Sequence, residues 1–201
     1  RRQLRSSLDR LAGEARQLSN RWDNIDDSPF GPAVATIEGI RHLSRYLAFG
    51  DRSSGVADDG PSSLQLAAAS FRRALQAEGG AADTDSRWLA ALLADLGEDL
   101  AESAVWAVLP PDLHPTARAL VMAEPPVLMF WPPQAAFLRS TPSPLDSATR
   151  RQVLAFPTSA GKTLVSQVII LSHIQTTAGD VCVVAPTHSL CREIEESLRP
   201  R

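Results

Sequence analysis

The sequence predicts a mostly α-helical N-terminal region followed by a partial α/β segment. Three observations predict it. Over residues 1–125, apolar side chains recur at spacings of three and four, the period of one helical face. In "EPPVLMFWPPQAAFLRSTPSP", residues 124–144, six of the chain's 15 prolines gather and that pattern stops. From residue 152 onward, short apolar runs alternate with helical patterns, as in a parallel α/β layer.

The first predicted helix carries Leu4, Leu8, Leu11, Ala15, Leu18 and Trp22 on one face. Ser28-Pro29-Phe30-Gly31-Pro32 breaks it. A second helix places Val34, Ile37, Ile40, Leu43 or Ser44, and Leu47 inward. "GDRSSGVADDGP", residues 50–61, has almost nothing to bury and reads as a loop. Ser62 and Gln65 have the spacing of a capping box. They open a helix with Leu64, Ala68, Phe71 and Leu75 on its apolar face. After "GGAADTD", Trp88, Leu89, Leu92, Leu93, Leu96 and Leu100 line a longer helix, expected to run to Leu109 and to stop at Pro110-Pro111. A short helix is expected over 116–123. The proline-rich stretch reads as a connector. Strands are expected at 152–156 and 181–185, with helices over 161–175 and 189–198. No internal repeat is present.

The chain has 201 residues, 44% hydrophobic and 21% charged, which suits one sizeable domain or two small ones. The boundary is expected at 125/126, giving a helical domain over 1–125 and an α/β part over 126–201. A net charge of −3 rules out a strongly basic grip on nucleic acid written into the totals, though not a local one. Cys182 and Cys191 have no metal-ligand spacing and read as reduced, structural and cytoplasmic. His42, His114, His173 and His188 show no such spacing either. No apolar run reaches the ~18 residues a membrane helix needs, and no signal peptide opens the chain. The sequence starts on Arg1 with what reads as a helix entered partway, so a fragment of a longer protein is expected.

The chemistry concentrates in "VLAFPTSAGKTLVSQVIIL", residues 153–171. Lys162 is the single lysine among 20 basic residues. Arginine is bulkier and planar, and does not replace a compact ammonium set against two phosphates. In the pattern G-x-x-x-x-G-K-[ST], loop N–H groups and the following helix N-terminus point at an anion, the lysine reaches the outer phosphates, and the hydroxyl binds Mg²⁺. Gly161, Lys162 and Thr163 fit it, while Phe156 stands at the first glycine.

With that departure, residues 156–164 resemble motif I of superfamily 2 helicases of the DEAD/DEAH-box type, above all the superkiller-like group, which also lacks the first glycine. "FWPPQAAFL", residues 130–138, is similar to the family's Q motif, and "VCVVAPTHSLCREI", residues 181–194, to its second strand and motif Ia. The resemblance covers residues 127–201 and leaves the helical region unassigned. It implies a RecA-like domain that binds ATP and Mg²⁺ and acts on DNA or RNA. Lys162 and Thr163 would be the catalytic pair, with Lys162 on the β- and γ-phosphates and the Thr163 hydroxyl on Mg²⁺. Thr158, Ser159, Ala160 and Gly161 would hold phosphate oxygens. Gln134 would read the adenine edge, with Phe130 or Trp131 on the base. Pro186, Thr187 and His188 would touch the nucleic-acid backbone.

Plainer alternatives stand beside these. Gln134 is also a polar residue in a helix after Pro-Pro, Trp131 a core ring, and Thr187 a helix cap. His188 and Gln167 depart from the family, which usually has arginine or methionine at the first position and glutamate at the second. Nothing resembles an Asp-Glu-x-Asp/His box, so the chain as given is expected to hold nucleotide without useful hydrolysis. A second expectation is that the helical region is a protein-interaction or regulatory module, with the loop segment incidental. A third, a P-loop kinase or ATPase outside the helicases, is disfavoured by Gln134 and Pro186-Thr187.

Overall fold

A computed structural model describes residues 10, 13, 14, 17, 30–51, 61–77, 84–146, 148, 149, 151–157, 161–177 and 180–198. The expected helix over 4–22 lies outside them, apart from Arg10, Gly13, Glu14 and Gln17, which are helical. The chain divides into two compact units, Arg1–Glu102 and Ser103–Arg201. Among the described residues no helix is long and apolar enough to cross a membrane.

The first unit contains α1 (Gly31–Phe49), α2 (Ser63–Gln76) and most of α3 (Thr84–Ser103). Pro32 stands in the first turn of α1, where its missing N–H costs nothing. The helix ends at Gly50, whose φ of 68° takes the chain out of the helix while its N–H bonds the Tyr46 carbonyl at 2.7 Å. The capping box of α2 forms as the sequence indicates. Ser62 Oγ accepts from Gln65 N–H at 3.1 Å, and Gln65 Oε1 accepts from Ser62 N–H at 2.8 Å. Asp51 adds an acceptor for Ser63 N–H at 2.8 Å.

The buried faces of α1 and α2 are rotated from those read by large apolar side chains. On α1 they are Pro32, Val34, Ala35, Thr36, Gly39, Leu43 and Tyr46; Ile37, Ile40 and Leu47 are only half-buried. On α2 they are Ala67, Ser70, Phe71 and Ala74, with Leu75 exposed. The cause is Gly39. A Cβ there would overlap the Phe71 ring, so the bare backbone lets that ring, 1% exposed, lie directly on α1. Small residues on both helices bring the backbones close and maximise dispersion contact. Arg73 pairs with Glu38 across the same seam, an ion pair exposed enough to contribute little.

α3 stops at Ser103, short of the expected Leu109. Ala104 leaves helical geometry because its backbone pairs with Met129 in an antiparallel bridge. Phe130 N–H bonds the Ser103 carbonyl at 2.8 Å and Val105 N–H bonds the Leu128 carbonyl at 3.1 Å. The expected apolar face of α3 is also only partly inside. Ala90 and Leu100 are buried, whereas Trp88 is 68% exposed and Leu92 50%.

The second unit continues through α4 (Val105–Val108), a 3₁₀ turn (Pro111–Leu113), α5 (His114–Met122), α6 (Pro132–Leu138), α7 (Lys162–Thr176) and α8 (His188–Leu198). Its core joins Val105, Val108, Leu113, Leu120, Phe130 and Leu138 to Val165 and Val168 of α7. The proline-rich stretch is therefore part of this core, through Phe130, Ala135, Leu138 and Leu145. Two polar ties fix α7: Thr116 Oγ1 donates to Gln175 Oε1 at 2.7 Å, and buried Ser172 donates to the Leu145 carbonyl at 3.3 Å.

The expected strands at 152–156 and 181–185 do not form. Among the described residues the structure is mostly helical, and its β pairing is the isolated Ala104–Met129 bridge. An α/β layer is therefore not seen. A strand needs a ladder partner, and a two-stranded sheet is marginal even when paired. The helices of 103–145 meanwhile occupy the apolar face of α7. Val153 and Val184, each 88% exposed, are the result.

Gly39→Ala should destabilise the first unit by about 1–3 kcal/mol, the usual cost of overpacking, because the Phe71 ring is walled in. Urea unfolding measures it; an unchanged midpoint would show that the two helices separate freely.

Candidate functional site

The site grows from the N-terminus of α7. Gly161 precedes it with φ 72° and ψ 37°, the left-handed region that β-carbons disfavour. Lys162 and Thr163 follow as exposed residues of the first turn. Val165 and Val168, buried on the core, and Ser172 below them hold the helix so that this end stays open. The first-turn N–H groups of a helix have no carbonyl partner within it and carry its partial positive charge.

Lys162 Nζ donates to the Phe156 carbonyl at 3.0 Å. The ammonium thus spans the loop from its last position to its first. Thr158, Ser159 and Ala160, the expected phosphate-holding residues between them, lie outside the described residues.

α6 lies against this loop. Pro132 and Pro133 open the helix, and Gln134 Oε1 reaches back to accept Trp131 N–H at 2.9 Å. Gln134 is 4% exposed, and its Nε2 donates to the Gly161 carbonyl at 3.4 Å. A Cβ on Gly161 would collide with that same amide. The structure therefore joins Gln134, Gly161 and Lys162 in one place. It also separates the two candidate aromatics: Phe130 is in the core, 0% exposed, and Trp131 is 60% exposed.

One pair escaped the sequence reading. The rings of Phe137 on α6 and Phe156 at the loop's start meet edge-to-face, with centroids 5.7 Å apart at 78°. The available signal was Phe137 standing three residues after Gln134, on the same helical face.

Pro186 and Thr187 form the bend before α8, and His188 begins it. Thr187 Oγ1 accepts Leu190 N–H at 3.3 Å, so this hydroxyl caps the helix. His188 lines an open groove of about 550 Å³ with Ser189, Arg192, Glu193 and Glu196. Two carboxylates beside one guanidinium weaken its attraction for a phosphate backbone. Among the described residues no cluster of His, Cys, Asp or Glu could hold a metal ion.

Gly161→Ala should cost about 1–2 kcal/mol for the left-handed turn alone. Displacement of the Gln134 amide adds to that loss. Urea unfolding of the variant checks it; an unaltered midpoint would mean that this turn is not held left-handed.

Residues 132–201 match the family model for DEAD/DEAH box helicases. Among curated proteins, the chain is 32% identical over 117 residues to Hachiman protein HamB of Bacillus cereus, an alignment covering 55% of this chain. The chain spans about a tenth of that relative's length, the alignment covering 10% of it. No solved structure matches the chain. The matched region, which begins at the first residue of α6 and takes in the loop, α7 and α8, is helicase-type in sequence.

Proposed function

We propose that this chain carries the ATP-binding front of a motor domain, from an ATP-dependent nucleic-acid helicase or translocase. The observation that supports it best is the meeting of Gln134 with Gly161, directly beside the exposed Lys162. A base-reading residue and a phosphate-holding turn must lie close together to take one nucleotide; in this reading Gln134 and Gly161 take those parts, with the Gln134 amide leaving its present partners for the base. In this reading Lys162 leaves the Phe156 carbonyl for the β- and γ-phosphates. The loop of Thr158, Ser159, Ala160 and Gly161 directs N–H groups at their oxygens. Trp131 is the exposed ring able to cover the base.

The donor set fits a nucleotide that brings its own metal. Thr163 offers a hydroxyl next to the lysine, and no carboxylate cluster among the described residues competes for the ion. Mg²⁺ bound there would neutralise phosphate charge. Lys162 and Thr163 position the triphosphate, and hydrolysis is assigned to the longer protein, along with DNA or RNA as its partner. Pro186, Thr187 and His188 form its nucleic-acid side. Residues 126–201 carry the start of a RecA-like domain, packed on the helices of residues 103–122 in the same unit, and the setting is cytoplasmic.

Titration with a fluorescent ATP analogue and Mg²⁺ tests this. Lys162→Ala removes a charge-assisted bond and should weaken binding by roughly ten- to a hundredfold. Lys162→Arg should not restore it, because the planar fork does not fit the same place. Equal affinity in all three proteins would end the proposal.

A second reading, a protein-interaction surface on the helical region, is favoured by α3. Trp88, Leu92 and Leu96 recur at a spacing of four and stand exposed. Exposed Asp95, Glu98, Asp99 and Glu102 follow along the helix. That chemistry suits an amphipathic helix with basic flanks. Trp88→Ser should then leave stability within ~0.5 kcal/mol of the parent, as a surface change does. A loss of about 3 kcal/mol or more would put the ring in a core and remove the surface.

A further inference from the structure

We propose that Phe137 is a positioning residue for the phosphate loop, acting through Phe156. The inference rests on the nucleotide-binding reading above and extends it to a side chain that reading gives no role. In loops of this kind the first glycine allows a tight turn at the loop's start. Here that position is Phe156, so the start of the loop is fixed by a ring. Phe156 packs against the core of the second unit, and its contact on α6 is the edge-to-face pair with Phe137.

The loop's other end is fixed from the same helix. Gln134 donates to the Gly161 carbonyl. Gln134 and Phe137 are three residues apart, so one face of α6 grips both ends of the segment from Phe156 to Gly161. Lys162 closes the third side by bonding the Phe156 carbonyl. α6 is thus a two-point clamp. One jaw is the polar contact from Gln134, and the other is the aromatic pair of Phe137 with Phe156.

A clamp of this form acts on affinity without touching phosphate. A loop that samples many shapes binds in proportion to the fraction already competent. The aromatic pair raises that fraction by holding Phe156 in place. Loss of one such pair corresponds to roughly three- to tenfold weaker binding. Leucine at 137 keeps most of the apolar volume and loses the ring edge. Tyrosine keeps the ring.

The test uses the whole chain, a fluorescent ATP analogue with Mg²⁺, and amide exchange without nucleotide. Phe137→Leu should weaken binding by roughly three- to tenfold, with Phe137→Tyr close to the parent. Phe156→Leu should match Phe137→Leu, and the double variant should be no worse than either, because both remove one contact. Without nucleotide, amides of residues 156–163 should exchange faster in Phe137→Leu, while those in the interior of α7 do not change. If the parent binds the analogue and Phe137→Leu binds equally well, the positioning role is wrong and the nucleotide reading stands. Additive losses in the double variant, or no rescue by tyrosine, would also overturn it. If the parent fails to bind, the nucleotide reading falls and this role falls with it.

Discussion

The left-handed turn at Gly161 is the constraint on which the site depends. The chain comes from residues 151–157, which carry no regular structure, and must leave as a helix packed on the core. One residue with φ 72° makes the change of direction. Because that residue lacks a Cβ, the buried Gln134 amide can sit against its backbone. The same position therefore sets where α7 starts, where Lys162 emerges and how α6 meets the loop. Burial of Val165 and Val168 then holds the arrangement from below.

The first unit solves a packing problem in a related way. Gly39 gives the Phe71 ring direct access to the backbone of α1, as Gly161 gives access to the Gln134 amide. In both places a missing β-carbon sits opposite a large buried side chain. Helix ends, by contrast, are settled locally. Ser62 with Gln65, Trp131 with Gln134, and Thr187 with Leu190 each satisfy a backbone donor within three residues. Among the described residues, short-range caps and a few close approaches recur in both units.

The starts of α1, α2, α3, α7 and α8 were legible because capping residues and spacing act over a few positions, whereas α6 falls in the stretch read as a connector. The inward faces of α1 and α2 were not, because the residues that let helices approach are small and carry no hydrophobic signal. The strands were not legible as absent. "VCVVA" has β character, but a strand forms only with a partner, and partners are not a local property. At the site, Gly161, Lys162 and Gln134 could be read from type and spacing. The pairing of Phe137 with Phe156 could not, since it depends on how a seven-residue helix lies across a loop.

Under the nucleotide reading proposed above, the bond from Lys162 to the Phe156 carbonyl would have a consequence for selectivity. An incoming anion meets an ammonium already engaged, so binding is an exchange, and only the difference between old and new partners counts. A neutral carbonyl is a modest competitor against a highly charged polyphosphate. It is a serious one against a weakly charged or poorly aligned anion. In that reading the internal bond would act as a threshold that screens ligands by charge density.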